Sequence, residues 1–202
     1  MKPYVYEGKT EEELILKALN ELEVKEDELF FVTKEEVAGL LKKKKVILKV
    51  IKKSEVLEYS KKFLKELTCA MGLEVNLETK RKENHILIKL HSNNNPILIG
   101  KNGKTLEALQ VILRQSIYIK TGVHANMVLD VEDYKEKHQR SIEFLSKKLA
   151  KEVLQTGIEI KMDSMNSYER RLVHNVLKDF KGIKTESEGE EPNRCVVIKL
   201  SK

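Results

Sequence analysis

Hydrophobic spacing along the chain switches repeatedly between helical and strand-like periods. Leu14, Ala18, Leu19 and Leu22 recur as one helix face. Thr10 stands before them as a capping residue, and Glu11, Glu12 and Glu13 suit the positive first turn. A strand before this helix and apolar runs at Leu29 to Val32 and Val46 to Ile51 complete a strand–helix–strand–strand order. Lys42, Lys43, Lys44 and Lys45 then fall in the turn between the last two strands.

The next stretch is the most regular. Ser54 is placed to cap a helix whose apolar positions are Val56, Tyr59, Phe63, Leu64, Leu67 and Met71. Leu73, Val75, Leu77 and Thr79 alternate with polar residues, which predicts a half-buried strand. A polar turn at Arg81 to Asn84 leads to a strand at His85 to Leu90. Asn93-Asn-Asn-Pro96 interrupts the chain and opens a very short helix. A long helix from about Thr105 carries Leu106, Leu109, Ile112, Leu113 and Ile117 on its inner side, and Ala125 to Val131 alternate as a strand. Beyond residue 134 the pattern predicts a long helix to about Gln155 and a short strand at Ile158 to Lys161. A helix at Ser164 to Phe180 and strands near Gly182 to Thr185 and Cys195 to Leu200 follow, with a polar turn at Glu186 to Asn193. The fold class is α+β: three small α/β-sandwich-like units, at 1–53, 54–133 and 134–202.

Charge reinforces that division. Residues 1–36 carry 5 basic and 11 acidic side chains, residues 37–53 carry seven lysines and no acid, and the whole chain has net charge +6. The lysine block reads either as a solvated hairpin tip or as a contact for RNA phosphates or anionic lipid. With 202 residues, no Trp and 5% aromatics, the cores must be built from Leu, Ile and Val. No run approaches 18 apolar residues and the first residues lack the apolar centre of a signal peptide, so the expectation is a cytoplasmic protein. Cys69 and Cys195 have no Cys-x-x-Cys partner and predict two ordinary buried or half-buried thiols. His85, His91, His124, His138 and His174 show no metal spacing, and no nucleophile–base arrangement stands out. The expectation is no metal, no cofactor and no catalysis.

The chemistry concentrates in Ile97-Leu-Ile-Gly-Lys-Asn-Gly-Lys104. Gly100 and Gly103 bracket Lys101 and Asn102 between a short helix and a long one. Glycine permits a tight turn and close ligand approach, and the following helix N-terminus offers N–H donors and a positive dipole end to phosphate. Lys101 and Lys104 add charge, and Ile97 and Ile99 offer an apolar floor. Gly103-Lys104-Thr105 also matches the end of a nucleotide-triphosphate loop, but that loop needs glycine at position 98, which is Leu. A second signal is Arg170 and His174, four apart and so on one helical face, able to donate to phosphate and to stack. Arg194 is placed to join them through a neighbouring strand.

The element order with Ile99-Gly-Lys-Asn-Gly103 resembles a type II KH domain, whose loop holds about four nucleotides of a single strand. Met165, Glu169, Arg170, Arg171 and His174, with Thr185-x-Ser187-x-Gly189-x-x-Pro-Asn-Arg194, resemble the bacterial Arg-x-x-x-His nucleic-acid-binding domain. The two in tandem behind a small N-terminal domain containing Gly8-Lys-Thr10 resemble the Jag family, also called SpoIIIJ-associated or KhpB proteins. The chain departs from that family at Val37-Ala-Gly-Leu-Leu-Lys42, which keeps only Gly39 of a glycine-rich turn.

The resemblance implies a bacterial protein that binds single-stranded RNA, with single-stranded DNA left open. It implies a post-transcriptional regulator or RNA chaperone linked to cell shape and sporulation, with a small KH protein as partner. It also implies contact with the YidC-type insertase or the membrane, for which Lys42, Lys43, Lys44 and Lys45 are the candidate residues. Two alternatives stay open: an interaction adaptor at that insertase or membrane, and a ribosome assembly or association factor.

Overall fold

The computed structural model describes residues 1–38, 43–81 and 85–201. Its chain divides into two compact units, Met1–Glu132 and Asp133–Lys202.

The first unit holds two three-stranded sheets. In the N-terminal one, β1 (Tyr4–Gly8) and β2 (Leu29–Ala38) flank β3 (Lys43–Lys52), both antiparallel to it. Helix α1 (Glu11–Leu22) packs on β1 and β3 through Leu14, Ala18 and Leu22. Thr10 caps it as its position suggests, its hydroxyl accepting the Glu13 N–H.

The lysine block departs from the sequence expectation. Lys43, Lys44 and Lys45 belong to β3, paired in register with Ala38, Val37 and Glu36, while Lys42 and Gly39 lie outside the described residues. Lys45 forms an ion pair with Glu7 at 2.6 Å. The acids that dominate residues 1–36 therefore meet part of the basic block inside this sheet, so alternation of apolar residues underestimated both strands.

The second sheet has the order β4 (Val75–Arg81), β5 (Ile86–Ser92), β6 (Met127–Val131). β4 is antiparallel to β5, and β6 is parallel to it, as a helical crossover requires. Residues 82–84 of the expected polar turn are outside the described set, and Arg81 is already strand. Three helices cover this sheet: α2 (Lys53–Ala70), α3 (Asn95–Ile99) and α4 (Lys104–Thr121). The core takes Ile86, Ile88 and Leu90 from β5, and Met127, Leu129 and Val131 from β6. Leu98, Leu106, Leu109, Leu113 and Ile117 close it from the helices.

Three side chains depart from the expected pattern, and one is Met71, exposed just past the end of α2. Ile112 is solvent-exposed, and Ser54 is exposed and caps nothing, because α2 begins at Lys53. The inner face of α2 instead includes Ser60 and Thr68, whose hydroxyls donate to the Val56 and Leu64 carbonyls at 2.6 and 2.8 Å. Such back-bonding lets a small polar residue sit in an apolar core without an unpaired group.

The second unit is one antiparallel sheet, β7 (Ile160–Lys161), β9 (Cys195–Leu200), β8 (Ile183–Glu188), covered by α5 (Tyr134–Thr156) and α6 (Ser167–Leu177). Its core joins Ile142, Ala150, Val153, Val173, Leu177, Val196 and Ile198. Strand β8 runs to Glu188, so the polar turn starts at Gly189, later than its acidic composition suggests. Cys195 is buried as expected, whereas Cys69 is exposed; both are free thiols.

Candidate nucleic-acid interface

The chain between α3 and α4 is a turn that only glycine can make. Gly100 has φ 70° and ψ −177°, a region open in practice to glycine alone. A Cβ there would stand 2.1 Å from Thr105 Oγ1 and 3.0 Å from the Thr105 nitrogen. Asn102 (φ 52°) and Gly103 (φ 75°) continue in the left-handed region, which asparagine tolerates and glycine prefers.

The turn's donors are unequally used. The Gly100 N–H donates to the Pro96 carbonyl at 2.8 Å, Gly103 N–H to the Gly100 carbonyl, and Lys104 N–H to the Lys101 carbonyl. The remaining donors of the segment are those of Lys101, Asn102 and, beyond Lys104, the first turn of α4, which no side chain caps. Lys101, Asn102 and Lys104 are exposed. Leu98 is fully buried and anchors α3, with Ile97 exposed and Ile99 half-buried on either side of it. Upstream, the Asn95 side chain accepts the Ser92 N–H at 2.9 Å, which fixes the exit from β5. The loop thus brings together main-chain donors, a helix start that no side chain caps and two exposed lysines, groups that suit a phosphodiester.

The second unit surrounds its motif with partners from other segments of the chain. Arg170 is buried. Its Nη1 donates to the Met165 carbonyl at 2.8 Å and to Glu191 Oε1 at 2.7 Å. The Met165 N–H in turn donates to the Arg194 carbonyl at 3.1 Å. Arg170 and the Arg194 backbone are therefore joined through Met165, and Arg170 ties the start of α6 to the 189–194 turn. Arg194 is half-buried, and its Nε lies away from solvent with no partner.

His174 lies four residues on, against β8. Its Nδ1 is 2.6 Å from Thr185 Oγ1 and its Nε2 2.9 Å from Ser187 Oγ. Thr185 and Ser187 are two apart on a strand and so share a face, a signal present in the Thr-x-Ser spacing. Burial, then the nearby Arg170 charge, lowers the His174 pKa below its usual 6.5. Glu169 completes the frame: Oε2 accepts the Asn166 N–H in a capping box, and Oε1 meets His138 Nε2 at 2.8 Å. Sequence reasoning did not foresee Glu191, Thr185, Ser187 or His138 as partners, because each contact spans eleven residues or more.

Among the described residues no group of His, Cys, Asp and Glu is arranged to hold a metal ion, and no helix is long and apolar enough to cross a membrane.

Comparison with known proteins gives two family matches. Residues 58–131 match the KhpA/KhpB KH domain, and residues 140–200 match the Arg-x-x-x-His (R-three-H) domain. An RNA-binding protein KhpB of Clostridium symbiosum is 32% identical over 200 residues, spanning 96% of this chain and 90% of its own length. The RNA-binding protein KhpB of Bacillus subtilis (strain 168) is 28% identical over 197 residues, 95% of each chain. That of Lactiplantibacillus plantarum is 33% identical over 132 residues, 65% of this chain and 41% of the relative.

One expectation follows from the His174 geometry. With its folded pKa lowered, the unfolded chain binds the proton more readily, so stability is full above pH 6.5 and falls as pH drops from 6.5 through the folded pKa. His174→Gln should flatten that part of the profile in urea unfolding followed between pH 7.5 and 5. An unchanged slope would show that His174 does not carry this dependence.

Proposed function

The chain belongs to the KhpB, or Jag, family, and from that premise we propose that it binds single-stranded RNA and acts as a post-transcriptional regulator or RNA chaperone, not as an enzyme. One observation carries this reading: the Gly100–Gly103 turn has no room for a side chain at its first glycine and presents exposed Lys101, Asn102 and Lys104 beside an uncapped helix start. A strand's phosphates would accept from the main-chain donors of Lys101, Asn102 and the first turn of α4. Lys101 and Lys104 would add screened Coulomb attraction, and bases would lie toward Ile97 and Ile99.

The α6 motif has a divided role in this reading. Arg170 holds the 189–194 turn in place, while Arg194 and the polar row of His174, Thr185 and Ser187 offer the contacts. The corresponding organisation is an N-terminal domain at 1–53, the KH domain at 54–133 and the Arg-x-x-x-His domain at 134–202.

A small KH protein is the proposed partner, as the joint KhpA/KhpB description of the matched family suggests. The outer side of α4 supports it, since Val111, Ile112, Tyr118 and Ile119 are all exposed there, Ile119 at 79%. Exposed apolar side chains at helical spacing make a surface that a second helix can cover.

Two measurements test these points. In fluorescence anisotropy with a labelled oligouridine, Lys101→Asp/Asn102→Asp should bind roughly tenfold or more weakly and lose about 0.7 from the log–log salt slope per lysine contact removed. A folded variant that binds like the parent would overturn the loop assignment. In co-purification with a tagged small KH protein, Ile112→Lys/Ile119→Lys should abolish the complex; an intact complex would place the partner elsewhere.

A further inference from the structure

The outer face of α5 has no part in the loop or in the α6 motif. Its inner residues Ile142, Ser146, Ala150 and Val153 are buried. Phe144 is two residues from Ile142, roughly 200° round the helix, and is 72% exposed. Lys137, Lys147, Lys148 and Lys151 are also exposed, at seven before and three, four and seven after Phe144. That spacing puts all four on the face of the phenylalanine. Arg140 lies on the same ridge but is paired with Glu136. None of the four lysines is within ion-pair distance of an acid among the described residues.

A bare aromatic ring within a cationic ridge matches one ligand chemistry closely. Unpaired bases stack on an aromatic face while lysines track the backbone, and neither contact depends on sequence. A lipid surface fits less well, because binding there scales with inserted apolar area. The other exposed apolar residues of α5, Leu145 and Leu154, lie roughly 100° and 80° round the helix from Phe144. We propose that this ridge is a second contact for single-stranded nucleic acid, with Phe144 stacking one base and Lys147, Lys148 and Lys151 meeting phosphates. The inference rests on the RNA-binding reading and adds a surface that neither motif contains. It would add affinity without adding base specificity.

The test uses the full chain and a labelled oligouridine across a salt series, beside vesicles of phosphatidylglycerol and phosphatidylcholine. Phe144→Ala should weaken RNA binding about tenfold, and Phe144→Tyr should restore it. Lys147→Gln/Lys148→Gln/Lys151→Gln should reduce the salt slope by about 2, at ~0.7 per contact. All substituted positions are exposed, and circular dichroism checks the fold. If these variants keep the parent's affinity and slope while Lys101→Asp/Asn102→Asp loses binding, the ridge is overturned and the loop reading stands. If the parent itself binds no RNA, the functional reading falls and the ridge with it. Loss of vesicle binding in the ridge variants with RNA binding unchanged would assign the face to lipid and overturn the proposal.

Discussion

Where the chain passes from α3 to α4, it runs so close to Thr105 that position 100 admits no side chain. A Cβ at Gly100 would overlap the threonine hydroxyl, and the backbone there occupies a region that other residues avoid. This contact decides how the neighbouring groups are presented. It closes the turn on itself, using the N–H groups of Gly100, Gly103 and Lys104 internally. It leaves the two residues between the glycines exposed and sets the first turn of α4 beside them. Leu98 on one side and Leu106 on the other bury this geometry into the sheet. The proposed phosphate cradle is thus a consequence of packing: both ends of the loop are anchored by core residues.

The second unit solves a related problem with polar groups. A buried guanidinium needs partners, and Arg170 finds a carbonyl and a carboxylate. Those partners belong to the segment before α6 and to the turn before β9, so satisfying the charge also fixes the turn. His174 does the same for β8 through two hydroxyls. The two residues that read as a pair in sequence are, in the fold, each also bonded to the segments around them.

Much of this was legible beforehand, for identifiable reasons. The helices and strands of residues 54–133 follow from their spacing, and the Gly-x-x-Gly turn follows from its place between a proline-started short helix and a long amphipathic one. Thr10 was readable as a cap because capping is local. The β2–β3 pairing was not: β3 continues through Lys43, Lys44 and Lys45, three lysines in a row opposite Ala38, Val37 and Glu36, where apolar alternation is silent. The spacing of Ile112 suits a wide helix stripe, yet α4 buries a narrower one. The surroundings of Arg170 and His174 depend on contacts with β8 and the following turn, which single-sequence periodicity does not carry.

The most direct measurement of the central claim is amide chemical-shift mapping of the isotopically labelled chain during titration with single-stranded RNA. The account predicts the largest perturbations at Lys101, Asn102 and Thr105, whose main-chain groups would meet the phosphates. Perturbations confined to other parts of the chain, with these three amides unmoved at saturation, would contradict it.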